Sequence, residues 1–199
     1  MATAIETARQ QAAQLWDVPL ADVLATDLSA DFFWADEHTI VHVARFDDSG
    51  RHDLVIAITK DGDSLIFGDP DDLSMINRFF DRENIALPEG LPVHRFATAI
   101  RSFLAGPRGL VGSTTFFDGM AIPRIERWLE APGDEDLFRR HCRDPLLEVR
   151  PDHWQLEFFF FTEHGGIELW RVTGRPDSIG DATVSDAVPA GTFRFPWVD

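Results

Sequence analysis

Cysteine is nearly absent from this chain. Cys142 stands alone, which excludes a disulfide within the chain and any metal centre built from several thiolates. Lysine is as scarce, since Lys60 is the only one among 18 basic residues, and tyrosine is missing while phenylalanine occurs 17 times. That skew carries no functional conclusion. No segment approaches the run of roughly 20 apolar residues needed to cross a bilayer. The opening MATAIETARQQAAQLW has neither the basic start nor the apolar core of a secretory signal, so a cytoplasmic location is expected.

Positive charge is also in short supply. The 18 basic residues face 34 acidic ones, for a formal net charge of −16, so the chain lacks the basic footprint that nucleic acid or an anionic membrane requires. Mimicry of DNA by ordered carboxylates would fit the sign. The acids, however, scatter through turns and helix starts, where solubility and capping account for them. With 44% hydrophobic and 26% charged residues in 199, the composition suits one globular domain spanning residues 1–199.

Periodicity gives the fold class. Thr3 to Trp16 reads as an amphipathic helix, with Thr3 and Glu6 at capping-box spacing and Ile5, Ala8, Ala12, Leu15 and Trp16 on one face. A second short helix is expected after Pro19, carrying Leu20, Val23 and Leu24. From Thr39 the period becomes alternating: Val41 and Val43, the loop DDSGRH, then Leu54, Ile56 and Ile58. Asp61-Gly62 signals a two-residue hairpin that would set Leu65 opposite Ile58 and Phe67 opposite Ile56, completing a three-stranded meander.

Helices follow. One is capped by Asp69 and Pro70 and buries Leu73, Ile76, Phe79 and Phe80, and the next carries Val93, Phe96, Ala97, Ile100 and Leu104 up to Gly106. Two more begin near Pro123, with Ile125, Trp128 and Leu129, and near Asp134, with Leu137 and Phe138. Strands return at Leu146–Val149, His153–Thr162 and Ile167–Thr173, and then around Ala182–Val188 and Thr192–Phe195. This order predicts an α+β fold: antiparallel sheet built from an N-terminal three-stranded meander and a C-terminal hairpin or meander, covered by several helices.

The stretch HWQLEFFFFTEHGGIELW holds the candidate site. A hairpin loop of two or four residues puts Trp154, Leu156, Phe158, Phe160, Ile167 and Leu169 on one face. The other face then carries His153, Gln155, Glu157, Phe159, Phe161, Glu168, Trp170 and Val172. Carboxylates beside aromatic walls are the usual preparation of a general acid or base, which singles out Glu157 and Glu168. The bland alternative is a half-exposed face with solvated acids.

Other constellations explain themselves. His38 and His42 stand ~13 Å apart on a strand, too far to share an ion. His141 and Cys142 are neighbours on a helix and face different ways, and a lone cysteine is usually a small buried hydrophobe. The aspartates from Asp61 to Asp72 lack the EF-hand pattern, with Leu65, Ile66 and Phe67 where ligands should stand. The glycines of GPRGLVGSTT lack a P-loop ending, and no G-x-S-x-G elbow occurs.

Two functions are therefore expected as alternatives. The first is a binding or accessory protein that engages a protein partner or a small apolar ligand through aromatic residues, with Phe159, Phe161 and Trp170 as anchors. The second is a cofactor-independent enzyme on a small organic substrate. In it Glu157 or Glu168 moves a proton, His153 or His164 assists, and Arg150 or Arg171 holds an anionic group. Neither reading calls for a metal or cofactor.

Overall fold

The architecture was obtained as a computed structural model, which describes residues 3–29, 37–67, 73–84, 92–106, 110–112, 133–141, 143–162 and 164–193. The chain is α+β and divides into two compact units. Met1–Glu89 with Ala99–Pro107 form the first, and Gly90–Thr98 with Arg108–Asp199 form the second.

The first unit opens on helix α1, Ala4–Trp16, where Thr3 accepts a hydrogen bond from the Glu6 amide at 3.2 Å as the capping spacing predicts. Its buried stripe is Ala8, Ala12 and Ala13; Leu15 is 58% exposed and Ile5 lies at the margin, so the small residues carry the contact. The expected second helix is a single 3-10 turn, Leu20–Asp22, because the chain passes at once into strand β1, Leu24–Asp27. Arg9 fixes that turn by donating from Nε to the Val23 carbonyl at 3.0 Å and from Nη2 to the Leu20 carbonyl at 2.9 Å.

Strands β2 (His38–Asp47), β3 (Gly50–Thr59) and β4 (Ser64–Phe67) complete an antiparallel sheet in the order β1-β2-β3-β4, one strand more than the predicted meander. One face presents Val41, Val43, Ile56 and Ile58 to α1. The other buries Ile40, Val55, Ala57, Leu65 and Phe67. There Phe67 stacks on Phe103 at 4.3 Å, and both meet Phe79 edge-on. Phe79 belongs to α2 (Leu73–Arg82), whose Ile76, Phe79 and Phe80 are buried as its periodicity predicts. Phe103 lies on α3 (Val93–Ala105), which Gly106 ends at φ +81°.

The second unit contains the Val93–Thr98 part of α3, α4 (Asp134–His141) and a five-stranded antiparallel sheet. Its strands are β5 (Leu110–Val111), β6 (Leu146–Val149), β7 (Trp154–Phe161), β8 (Ile167–Arg175) and β9 (Ser178–Val188). The sheet order is β5-β7-β8-β9, and β6 also pairs with β7. Thr192 and Phe193 lie outside any strand, against expectation; Phe193 is buried under the hairpin instead. The predicted cap at Asp69 and Pro70, the helix at Pro123, Cys142 and most of GPRGLVGSTT lie outside the described residues.

Both hairpins depart by one residue from the sequence reading. Ile58 pairs with Ser64 and Ala57 with Leu65, so residues 60–62 form a three-residue loop with Gly62 at φ +91°. Likewise Phe161 pairs with Ile167 and the Thr162 amide donates to the Gly166 carbonyl at 3.0 Å, so this turn too is odd in length, with Gly165 at φ +69°. A three-residue hairpin needs a left-handed residue in its last loop position, and glycine supplies it without steric cost. Thr59 and Thr162 close the two loops in the same way. Each carbonyl accepts from the glycine amide (3.0 and 3.1 Å), and each Oγ1 accepts from the amide four residues on, at 3.1 Å in both.

The two glycines differ in surroundings. Nothing lies within 4 Å of a Cβ placed on Gly62, whereas one on Gly165 would overlap the Phe193 backbone, held there by its amide bond to the Gly165 carbonyl at 2.9 Å. Gly62→Ala should therefore cost about 1–2 kcal/mol from its left-handed backbone alone. Gly165→Ala should cost distinctly more, because Phe193 must also move. Urea unfolding of the two variants checks this, and equal losses would show that Phe193 is not seated against the loop.

Candidate functional site

The run Phe158–Phe161 is explained by burial on both faces of β7. All four phenylalanines are buried, along with Ile167, Trp170 and Val172 on β8. Since Phe161 pairs with Ile167, the odd residues of β7 share a face with the odd residues of β8. Phe159, Phe161, Ile167 and Leu169 lie on one side, packed with Leu137 and Phe138 of α4, Val188 and Phe193. Phe138 holds Phe161 at 4.8 Å and Phe193 at 5.8 Å.

Trp154, Leu156, Phe158, Phe160, Glu168, Trp170 and Val172 lie on the other side. Phe158 and Trp170 are a cross-strand stack, 6.0 Å apart and 11° from parallel. Phe96 of α3 sits edge-on to Trp154 at 5.3 Å. Trp154 also lies over its partner Gly174, where a Cβ would overlap the indole, and donates from Nε1 to the Arg175 carbonyl at 2.6 Å.

The one-residue shift separates the two glutamates. They share a face only if the loop is even in length; with three residues in it, Glu157 and Glu168 are on opposite sides of the sheet. Glu168 is half-buried and its Oε2 accepts from Trp170 Nε1 at 2.7 Å. Glu157 faces its cross-strand partner Arg171, which donates from Nε to Oε2 at 3.0 Å, while Arg143 donates from Nη2 to Oε1 at 2.8 Å. Both carboxylate oxygens are thus bound to guanidinium groups. Arg143 also lies over the Phe159 ring at 4.8 Å, a cation–π contact that closes the end of the buried cluster.

The remaining predicted residues are spread along the sheet. His153 and Arg150 occupy the exposed turn between β6 and β7, where the Arg150 amide donates to the His153 carbonyl at 2.8 Å. His153 Nδ1 meets Asp152 Oδ1 at 2.8 Å, and that hydrogen bond above all holds the Asp152 carboxyl below its ordinary range. His164 is exposed in the loop at the far end of β7, roughly 25 Å away at the usual rise of a strand. The fold brings Glu157 and Arg171 together, sets the two histidines at opposite ends, and places Phe159, Phe161 and Trp170 in the core.

Around Glu157 the sheet is open. Beyond the rungs that α4 covers, the same face continues through Gln155, Arg171, Thr173, Asp181 and Thr183, all exposed, and Leu146, which is 57% exposed. The mixture is polar and carries both signs of charge. Among the described residues no group of three His, Cys, Asp or Glu is placed to hold a metal ion, and no helix is long and apolar enough to cross a membrane.

The first unit holds three histidine–carboxylate pairs that spacing did not reveal. His38 and His42 do go to separate partners: His38 Nδ1 to Glu83 at 2.5 Å, both side chains fully buried, and His42 Nε2 to Asp53 at 2.7 Å. His38 Nε2 is buried and has no hydrogen-bond partner among the described residues. Asp53 also accepts from Arg51 Nε at 2.9 Å; burial works to raise its carboxyl, but His42 and Arg51 together hold it below the usual range. The third pair is at the β2–β3 tip, where Asp47 accepts from the Ser49 hydroxyl at 2.5 Å and meets His52 at 3.1 Å. Glu83 is 45 residues from His38, and no local pattern connects them.

The Asp47 carboxyl is lowered to about 2, chiefly by the Ser49 hydroxyl and then by His52. A lowered carboxylate favours the fold above its ordinary value of 3.8, and that contribution is lost as pH falls from 3.8 through about 2. A carboxyl NMR titration of Ser49→Ala should show the Asp47 midpoint moving back toward 3.8, and an unmoved midpoint would refute the hydroxyl's role. No protein-family model matches this chain, and comparison with curated proteins and with solved structures gives no match from which a family or a function could be argued.

Proposed function

We propose that this chain is a cytoplasmic protein-binding accessory protein, not an enzyme and not a nucleic-acid binder, and that its partner docks on the uncovered half of the second sheet. One observation carries the reading. A single sheet face is covered over Phe159, Phe161, Ile167 and Leu169, yet exposed at Gln155, Arg171, Thr173 and Thr183 around the half-buried Glu157.

An open face of polar groups, charges and one exposed leucine suits the mixed chemistry of a protein interface, whereas small molecules favour concave apolar sites. The buried state of Phe159, Phe161 and Trp170 supports a protein partner over a small apolar ligand, since those rings are already spent on the core. The bracketing of Glu157 by Arg143 and Arg171 supports a role as a fixed charged feature of that face. Net charge of −16 supports the exclusion of nucleic acid.

Native mass spectrometry of the protein purified gently from its host tests the reading. A stoichiometric protein partner should be retained, and Thr173→Arg should release it while stability changes by less than about 0.5 kcal/mol, as for an exposed surface position. Glu157→Gln should cost about 1 kcal/mol by loosening a half-exposed ion-pair network. A small organic molecule retained in place of a protein would overturn the proposal. So would a turnover activity abolished by Glu157→Gln at unchanged thermal midpoint.

A further inference from the structure

The sheet of the second unit ends on its longest strand. β9 runs for 11 residues and has a neighbour, β8, on one side only among the described strands. The other outer strands are short: four residues in β1, β4 and β6, and two in β5. Proteins usually keep edge strands short, or break them with proline, lysine or a bulge, because an open row of amides and carbonyls recruits another strand.

Between Ser178 and Val188 there is no proline and no basic residue. The ladder shifts register between Ile167 and Glu168 and between Thr173 and Gly174, which leaves a regular six-residue stretch from Asp181 to Asp186. Except for the half-buried Ala182, every residue of that stretch is exposed, with Val184 at 54%.

We propose that this edge is a docking strand, and that it accepts an extended basic segment of the partner protein as an additional β-strand. The inference rests on the protein-binding reading above and names where and how that partner is held. The occupant follows from charge. Asp181 and Asp186, both exposed, bracket the regular stretch on opposite faces of the sheet.

An incoming strand with basic residues five apart meets both aspartates, while a neutral or acidic strand leaves them unpaired, so the carboxylates select as well as attract. A second copy of this chain fits poorly, since it brings the same two aspartates and another net charge of −16 to the edge. Backbone pairing supplies the affinity in such a mode, and the alternating side chains supply the choice of partner.

The test uses the full chain, isotope-labelled, and a blocked ten-residue peptide of threonine and valine with two lysines five apart; the control carries glutamates at those two places. Expected is slowing of hydrogen exchange by about tenfold or more at alternate amides of 180–186 with the lysine peptide, and none with the control. Proline is then placed at Val184 and, separately, at Ser185. Successive amides of an edge strand point to opposite sides, so one variant breaks the β8 ladder and the other keeps its thermal midpoint. The variant that stays folded should lose the protection.

Equal protection by both peptides would overturn the basic partner, and protection in the absence of peptide together with a dimeric mass would assign the edge to a second copy instead. No protection at β9 would overturn the docking strand. If the host partner were still retained by native mass spectrometry in that case, the protein-binding reading would survive the failure.

Discussion

A glycine in the left-handed backbone region sets the register of both sheets. At Gly62 and at Gly165 the third loop residue takes a positive φ that any side chain would make costly, and the threonine three positions earlier binds the glycine amide with its carbonyl and the next amide with its hydroxyl. The loop length is odd as a result. Because side chains alternate along a strand, that parity decides which residues meet across each hairpin: Leu65 with Ala57 rather than Ile58, and Arg171 with Glu157 rather than with a residue of the buried face. The ion-pair network at Glu157 is a consequence of where Gly165 stands.

Much of the fold was legible because its elements announce themselves locally. The Thr3 cap, the helix faces of α2 and the two meanders follow from spacing that physical chemistry makes specific. The register was not legible, and the reason is particular. A one-residue slip normally betrays itself by turning an apolar face to water, but Val55, Ile56, Ala57 and Ile58 are buried in succession, as are Phe158, Phe159, Phe160 and Phe161. Where both faces are covered, alternation no longer distinguishes one register from the next, and the dipeptides Asp61-Gly62 and Gly165-Gly166 point to a two-residue turn. The repeated T-x-x-G, at Thr59–Gly62 and Thr162–Gly165, is the signal that separates the alternatives.

The candidate site was legible in its residues and not in its grouping. Glu157 and Arg171 do meet, yet Arg143, the second cation on that carboxylate, stands 14 residues before it and is brought in by the segment between α4 and β6. The same holds in the first unit, where His38 finds Glu83 across 45 residues of sequence. Charged groups taken out of water need partners, and the chain supplies them from whatever distance the fold allows. For that reason His38, His42, Asp53 and Glu157 are all engaged, and a residue's chemical type says little about its use until its partner is known.

The exposed half-face and β9, the last strand of the sheet among the described residues, are parts of one surface. Thr183 of β9 stands across from Arg171, and Asp181 across from Thr173, so the exposed rungs around Glu157 run without interruption to the last strand. A segment added along β9 therefore continues the same face and brings its own side chains level with Thr183 and Asp181. Backbone pairing alone recruits any extended chain, whereas a fixed pattern of Arg143, Glu157, Arg171 and Asp181 beside it admits few. A net charge of −16 makes that distinction necessary, because the long-range field attracts every basic segment alike and discrimination has to come from contacts made after encounter.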